Sequence, residues 1–361
     1  MKIAYVTDVI YPFVMGGAEK RIYEVSKRLV AENEVHIFGV KWWKGHDDII
    51  VDGINIHGIC KAQKLYSGGK RSFSEAFQFA LSLRPMFKYN LDIIDCNQFP
   101  YLHCFPARLV AKVKRAPLVV TWHEVWGDYW YEYLGRSGII GNVVEKSTMK
   151  LADTIIAVSK NTKEALNHFV KNVTVIPNGV DLGLIDSIKP TKKMYDLLFV
   201  GRLIPEKNVD LLLRSMPQDK SLGIIGEGPE LERLVRLSKE LGTNVTFKSG
   251  LPYEELIGLM KSADALVLPS SREGFGIVAL ESLASGTPVI TVNSKTNAAK
   301  ELVTNGINGF IVDLNPEAVN SAILKIDKTT MSEKARGSVT DYDWDITSNE
   351  ILNVYKSLIL N

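Results

Sequence analysis

The chain has 361 residues, 46% of them hydrophobic, and a formal net charge of +2. That length calls for two domains, each able to bury its own core, and the near-neutral balance excludes a general nucleic-acid binder. Three cysteines, Cys60, Cys96 and Cys104, are too few and too odd in number for a disulfide framework, and fit a reducing, cytoplasmic setting.

Taken in chain order, residues 3–7 read as a strand; Met1–Asp8 is too short and too soon charged for a signal segment. A Pro- and Gly-rich loop follows, then a helix over 18–31 with Ile22, Val25 and Leu29 at helical spacing. Strands are expected over 34–40, 54–59, 91–95, 118–122, 154–158 and 173–176, with helices over 100–111, 140–151 and 160–169 and one marked by Phe73, Phe77 and Leu81. Residues 61–72, basic and Gly-containing, read as a mobile loop. Strands alternating with helices predict a parallel α/β sheet. The stretch 181–193 reads as a linker. A second alternation follows, with strands over 196–200, 221–225, 245–248, 265–268, 289–291 and 309–312. Its helices are expected near 208–215, 229–241, 253–262, 275–284, 296–304 and 316–326. A last helix starts at Asp343-Trp344. The prediction is two Rossmann-like, doubly wound domains facing across a cleft, 1–180 and 181–342, with the helical tail 343–361 after them.

Charge is uneven between the halves. The first 180 residues carry 23 basic and 17 acidic side chains, and the remainder 20 and 24. A basic first half suits an anionic partner or membrane surface. No apolar run reaches the length of a membrane span.

Loops after strands carry the chemistry. Gly16-Gly17-Ala18-Glu19 opens the first helix, where two glycines let a phosphate or sugar approach the backbone. Gly201-Arg202 and Lys207 put two cations on one short loop, able to neutralise a departing diphosphate. Gly226-Glu227-Gly228-Pro229 begins like a dinucleotide fingerprint, but Leu231 stands where its third glycine belongs, and no acid follows at the expected distance. In Glu273-Gly274-Phe275-Gly276, a strand turns into a helix whose free N–H groups suit phosphate and sugar; Glu281 follows on that helix. His123 ends a strand. A zinc reading of His123-Glu124 fails, because Gly127 occupies the place of the second histidine.

In this order and spacing, these residues resemble the retaining nucleotide-sugar glycosyltransferases of the GT-B fold, glycosyltransferase family four, over nearly the whole chain. Val158-Ser159-Lys160 and Pro177-Asn178-Gly179-Val180-Asp181 add to the resemblance. It implies transfer of a hexosyl group from a nucleoside-diphosphate sugar to an acceptor hydroxyl, as in surface polysaccharide, glycolipid or glycoprotein glycan assembly. Arg202 and Lys207 would hold and stabilise the leaving diphosphate. Glu273 would hold the donor sugar and Glu281 the ribose, and the final helix, 343–361, would cross back onto the first domain. Gly274, Phe275 and Gly276 would present backbone N–H groups, and Gly17 would approach the diphosphate. His123 would contact the sugar near its anomeric centre; Glu124 follows it where many relatives have Asp. No metal or other cofactor is required. Basic residues Lys61, Lys64, Lys70, Arg71, Arg84 and Lys88 around Phe73 and Phe77, with the aromatics Trp126, Tyr129, Trp130, Tyr131 and Tyr133, suit a lipid-linked acceptor and a peripheral contact with an anionic cytoplasmic membrane face. The competing readings are a sugar-nucleotide epimerase of the same architecture and a non-catalytic sugar-nucleotide-binding module.

Overall fold

The computed structural model describes residues 1–67 and 70–360; of Tyr66, Ser67 and Lys70 only the backbone is described. The chain forms two compact units. One is Met1–Asn178 with the final helix Trp344–Leu360, and the other is Gly179–Asp343.

The first unit holds an eight-stranded sheet in the spatial order Val173–Val175, Thr154–Ala157, Leu118–Trp122, Ile93–Asn97, Lys2–Val6, Glu34–Lys41, Ile54–Lys61, Asp48–Val51. All pairs are parallel except the last. The sequence reading missed that edge strand. It is the first arm of a hairpin whose turn, Asp52-Gly53, has both φ angles positive, the Asp-Gly chemistry such a turn requires. Residues 61–72 are also corrected in part: Tyr66–Ser67 pairs antiparallel with Lys70–Arg71, while Gly68 and Gly69 lie outside the described residues.

Period-two alternation divides this sheet chemically. Ile94, Cys96, Val120 and Trp122 enter the apolar core with Ala107, Val110 and Ala111 of the helix Cys104–Lys114. Asp95, Asn97 and Thr121 point to the opposite face. There Tyr355 of the final helix reaches Asp95, and the helix Gly17–Leu29 packs against the final helix. Trp344, fully buried, anchors the start of that final helix.

The second unit is a six-stranded, wholly parallel sheet ordered Val245–Lys248, Leu222–Ile225, Leu197–Val200, Ala265–Leu268, Val289–Val292, Gly309–Val312. Its four central strands are short apolar runs buried on both faces, as sheets covered on both sides require, while the edge strands Val245–Lys248 and Gly309–Val312 are partly exposed. The order reverses between Leu197–Val200 and Ala265–Leu268, the kind of position at which doubly wound sheets bind ligands. In the first unit the reversal falls between Lys2–Val6 and Ile93–Asn97.

Two expectations in the second unit are corrected. Residues 296–304 form no α-helix. Thr296–Asn297 pairs with Arg272–Glu273, and a 3-10 turn follows over Ala298–Leu302. Asn297 holds this shape by donating to Thr291 and to the Val292 carbonyl, while its own oxygen caps the Ala299 N–H. Lys328–Gly337 is a helix the sequence reading missed, because Met331 and Ala335 are the only residues it buries. The expected linker contains a short helix, Leu182–Ser187, capped by Asp181.

Candidate active site

In the second unit, two loops meet at the point where strand order reverses. Gly201-Arg202-Leu203 leaves the strand Leu197–Val200, and a 3-10 turn, Pro205–Lys207, follows. Gly226 and Gly228 hold this loop from beneath. A Cβ on Gly226 would lie 1.9 Å from the Gly201 carbonyl oxygen, and one on Gly228 would lie 2.2 Å from that of Leu203. Only glycine permits this contact. The Leu203 N–H donates to the Glu227 carbonyl at 2.8 Å, closing the pair. The other side is latched onto the neighbouring strand's exit. Ser271 donates its N–H to the Glu206 carbonyl, and Asn208 donates its side-chain amide to the Pro269 carbonyl.

This latch brings Lys207 to Glu273. The ammonium donates to the Glu273 carboxylate, and the Ser270 hydroxyl donates to the same oxygen at 3.1 Å. Both charged side chains are mostly shielded, at 18% and 16% exposure, where an ion pair is less screened than on an open surface. Arg202, on the same loop, is exposed. The helix expected to open at Gly274 starts at Ile277 and runs to Ala284. Gly276 stands before it with φ +88°, and no side chain caps it. Glu281 lies on the second turn and is buried. A helix start with no side-chain cap, beside a lysine, is suited to an anion.

In the first unit, the predicted residues sit around the polar face of the sheet. Gly17 begins the first helix, and Glu19 folds its carboxylate back over Gly16. His123 follows the strand Leu118–Trp122. Its N–H donates to the Gln98 side-chain oxygen at 3.0 Å, and its carbonyl accepts from the Thr162 hydroxyl at 3.2 Å. The ring Nε2 is buried without a partner among the described residues. Desolvation, helped by the charge of Arg21, pushes the imidazole pKa down to about 3. His123 is therefore neutral at physiological pH, able to offer a hydrogen bond but not a charge.

Around it lies a cluster the sequence reading did not find. Arg21, Asp95, Asn97, Thr121 and His123 line one small cavity with Tyr5 and Ile351. Asp95 accepts from Tyr355 at 2.6 Å and from Thr121 at 2.9 Å. Burial still raises its pKa to about 6 against those hydrogen bonds and the Arg21 charge. Arg21 donates to the carbonyls of Ile176 and Pro177 and to Asn178, and burial lowers its pKa to about 10. Asn97 Oδ1, like His123 Nε2, is buried and unpartnered among the described residues. The available signal was the acid Asp95 in the middle of the strand Ile93–Asn97, which the expected strand 91–95 placed at its end.

The aromatics after His123 are organised by buried Glu145. It accepts from the Trp126 and Gly127 N–H groups, the Trp130 indole and the Tyr101 hydroxyl. Trp130 is buried and Trp126, half-buried, stacks on Phe99, while Tyr131 is exposed, so only part of this group is interior packing. Arg71 points inward to Asp8 and Glu75, and the Lys70 side chain lies outside the described residues. The described residues also bring Cys96, His103 and Cys104 together in the core. The His103 ring and the Asn97 carbonyl oxygen are 2.8 Å apart there.

The fold has clear counterparts among solved structures. Sucrose-phosphate synthase from Thermosynechococcus elongatus superposes with a TM-score of 0.84, at 21% identity over 99% of both chains. Anabaena HepE in complex with UDP-glucose superposes at 0.77, with 18% identity over 99% of this chain and 100% of that one. This is the GT-B fold, two Rossmann-like domains in one chain. An uncharacterized glycosyltransferase of Methanocaldococcus jannaschii is 28% identical over 99% of this chain and 98% of its own length. Residues 15–184 match the family model described as Glycosyltransferase Family 4, and 185–337 the one described as Glycosyl transferases group 1, so the chain belongs to these glycosyltransferases. It is an enzyme that moves a sugar from a nucleoside-diphosphate sugar.

Proposed function

We propose that the enzyme transfers a hexosyl group to an acceptor hydroxyl of a glycan or glycolipid with retention of anomeric configuration. The observation that carries the reading is the Lys207–Glu273 pair, held at the reversal of strand order beside Arg202. Arg202 and Lys207 stabilise the negative charge that develops on the leaving diphosphate, with the N–H groups of Gly274 to Gly276 adding hydrogen bonds. Glu273 holds the donor-sugar hydroxyls, Glu281 meets the ribose, and Gly201, Gly226 and Gly228 shape the loop. Gly16 and Gly17 serve the diphosphate, and His123, neutral, serves the sugar. This reading uses no covalent nucleophile: the departing phosphate takes the acceptor proton on the same face from which it leaves. Charge neutralisation comes from the two cations, so this reading uses no metal.

The test is thermal shift with UDP, GDP and ADP and their sugar conjugates, followed by product analysis. One nucleotide should raise the melting temperature with the logarithm of its concentration, and its sugar conjugate should yield an α-linked product from an α-linked donor. An inverted product would overturn retention. No shift with any nucleotide, in folded protein, would overturn the donor assignment and favour the non-catalytic module.

A further inference from the structure

Three parallel strands of the first unit end side by side: Ile93–Asn97, Leu118–Trp122 and Thr154–Ala157, with Asn97 level with Thr121, and Trp122 with Ala157. The ladder carries on a little past these ends. Gln98 donates its N–H to the Thr121 carbonyl at 3.0 Å, and Val158 donates its own to the Trp122 carbonyl at 3.1 Å. His123 leaves the middle strand one step further on. Its N–H and carbonyl need partners from outside the ladder, and both are supplied by side chains, one from each flanking exit. The N–H donates to Gln98 Oε1, and the carbonyl accepts from the Thr162 hydroxyl. Gln98 and Thr162 are 3% and 2% exposed, so water competes little for either bond.

Ser159 aims the second of these bonds. It caps the helix Lys160–Asn167 by accepting the Thr162 N–H at 3.1 Å, and its hydroxyl lies 2.9 Å from that of Thr162. A hydroxyl has one proton to donate. The His123 carbonyl can only accept, so Thr162 gives its proton there and Ser159 donates to Thr162. The cap itself needs only Ser159 and the Thr162 N–H. The bond from the Thr162 side chain leaves the helix and ties the Val158-Ser159-Lys160 motif to the His123 peptide.

We propose that Gln98 and Thr162 are positioning residues for His123, clamping the N–H and the carbonyl on either side of the carbon that bears its ring. With both peptide groups held, the direction in which the ring leaves the backbone is fixed before any ligand arrives, and less ordering remains to be done on binding. Neither residue touches substrate; both act through His123. The inference rests on the reading of His123 as a contact to the donor sugar.

The test is calorimetric titration of the full chain with UDP-glucose, GDP-mannose and ADP-glucose, and with UDP, GDP and ADP. For the pair that binds, the readout is the affinity for the sugar conjugate divided by that for the bare nucleotide. A residue acting on the sugar moves this ratio, whereas a general loosening of the fold leaves it in place. His123→Ala should lower the ratio by about three- to tenfold, the scale of one hydrogen bond. Thr162→Val and Gln98→Leu should each lower it by about two- to fivefold. Thr162→Ser, which keeps the hydroxyl, should restore it. In a His123→Ala background, Thr162→Val should change the ratio no further. A ratio lowered by His123→Ala but unchanged by Thr162→Val and Gln98→Leu would overturn the positioning role and leave the sugar contact standing, as would a further drop in the double variant. An unchanged ratio in His123→Ala would overturn the reading of His123 itself, and this inference with it. Absence of binding by all six ligands would remove the donor assignment and this inference together.

Discussion

The two units share a doubly wound sheet but place their charged residues differently. In the second, the charges stand at the rim, on loops that leave neighbouring strands, and the glycines beneath them serve only to bring those loops together. In the first, the charges are drawn into the layer between sheet and helices, where Asp95 and Arg21 share a buried neighbourhood with the neutral His123 ring and two tyrosine hydroxyls. Rim charges remain available to a ligand and contribute little to folding. Interior charges must satisfy one another and therefore become part of the architecture. The same fold thus sets charged side chains on loops in one unit and builds a buried polar network in the other.

The largest effect should come from the rim. Lys207→Ala and Glu273→Ala should each lower turnover by about 10²–10³-fold, the scale of losing one preorganised charge-stabilising group. Melting temperature should hardly move, which separates loss of chemistry from loss of fold. Gly226→Ala should do both. Its Cβ would collide with the Gly201 carbonyl, so chemical denaturation should show a loss of about 1–3 kcal/mol, together with reduced turnover as the Arg202 loop shifts.

In the interior the order of effects should reverse. Tyr355→Phe removes a donor from buried Asp95 and should lower stability by about 1–3 kcal/mol in urea unfolding. The pH dependence sharpens the contrast. His123 has a folded pKa of about 3, below its usual 6.5, so its contribution is complete above 6.5 and is lost as pH falls. Asp95 has a folded pKa of about 6, above its usual 3.8, so its contribution is complete below 3.8 and is lost as pH rises through 6. Between these limits the two slopes oppose. Asp95→Asn should expose a stability that declines with acid by about 1.4 kcal/mol per pH unit relative to wild type. His123→Gln should expose the opposite slope. Parallel urea midpoints for the two variants across this window would refute the interior account. Smallest of all, Asp345→Ala removes an exposed partner of Arg28 and should cost less than about 1 kcal/mol.

How much of this was readable in the chain follows from the same contrast. Gly201, Arg202 and Lys207 lie within seven positions, and Glu273 to Glu281 within nine, so short motifs after apolar runs exposed both loops and the strands before them. The strand–helix alternation was equally plain, because each parallel strand is a brief run of Val, Ile and Leu. The interior cluster was hidden because Arg21, Asp95, Asn97, Thr121 and Tyr355 are far apart in the chain, and strand register together with the packing of two helices brings them together. Read as the last residue of the expected strand 91–95, Asp95 looked like an ordinary strand end, whereas it is the middle of Ile93–Asn97. The helix Lys328–Gly337 was hidden for another reason: a surface helix with two buried positions has almost no periodicity to read.

The hydrogen bond between Asp95 and Tyr355 also sets an order of events during synthesis. Asp95 leaves the ribosome long before Tyr355 exists, and at ordinary elongation rates the wait to reach the final helix after Asn178 is roughly ten to thirty seconds. Throughout that interval the nascent first unit holds a carboxylate without its phenol and a sheet face without its covering helix. Protease resistance of ribosome-bound chains should therefore rise twice, first when the second unit clears the exit tunnel and last when residues 344–360 do, with the earliest-made domain the last to be completed.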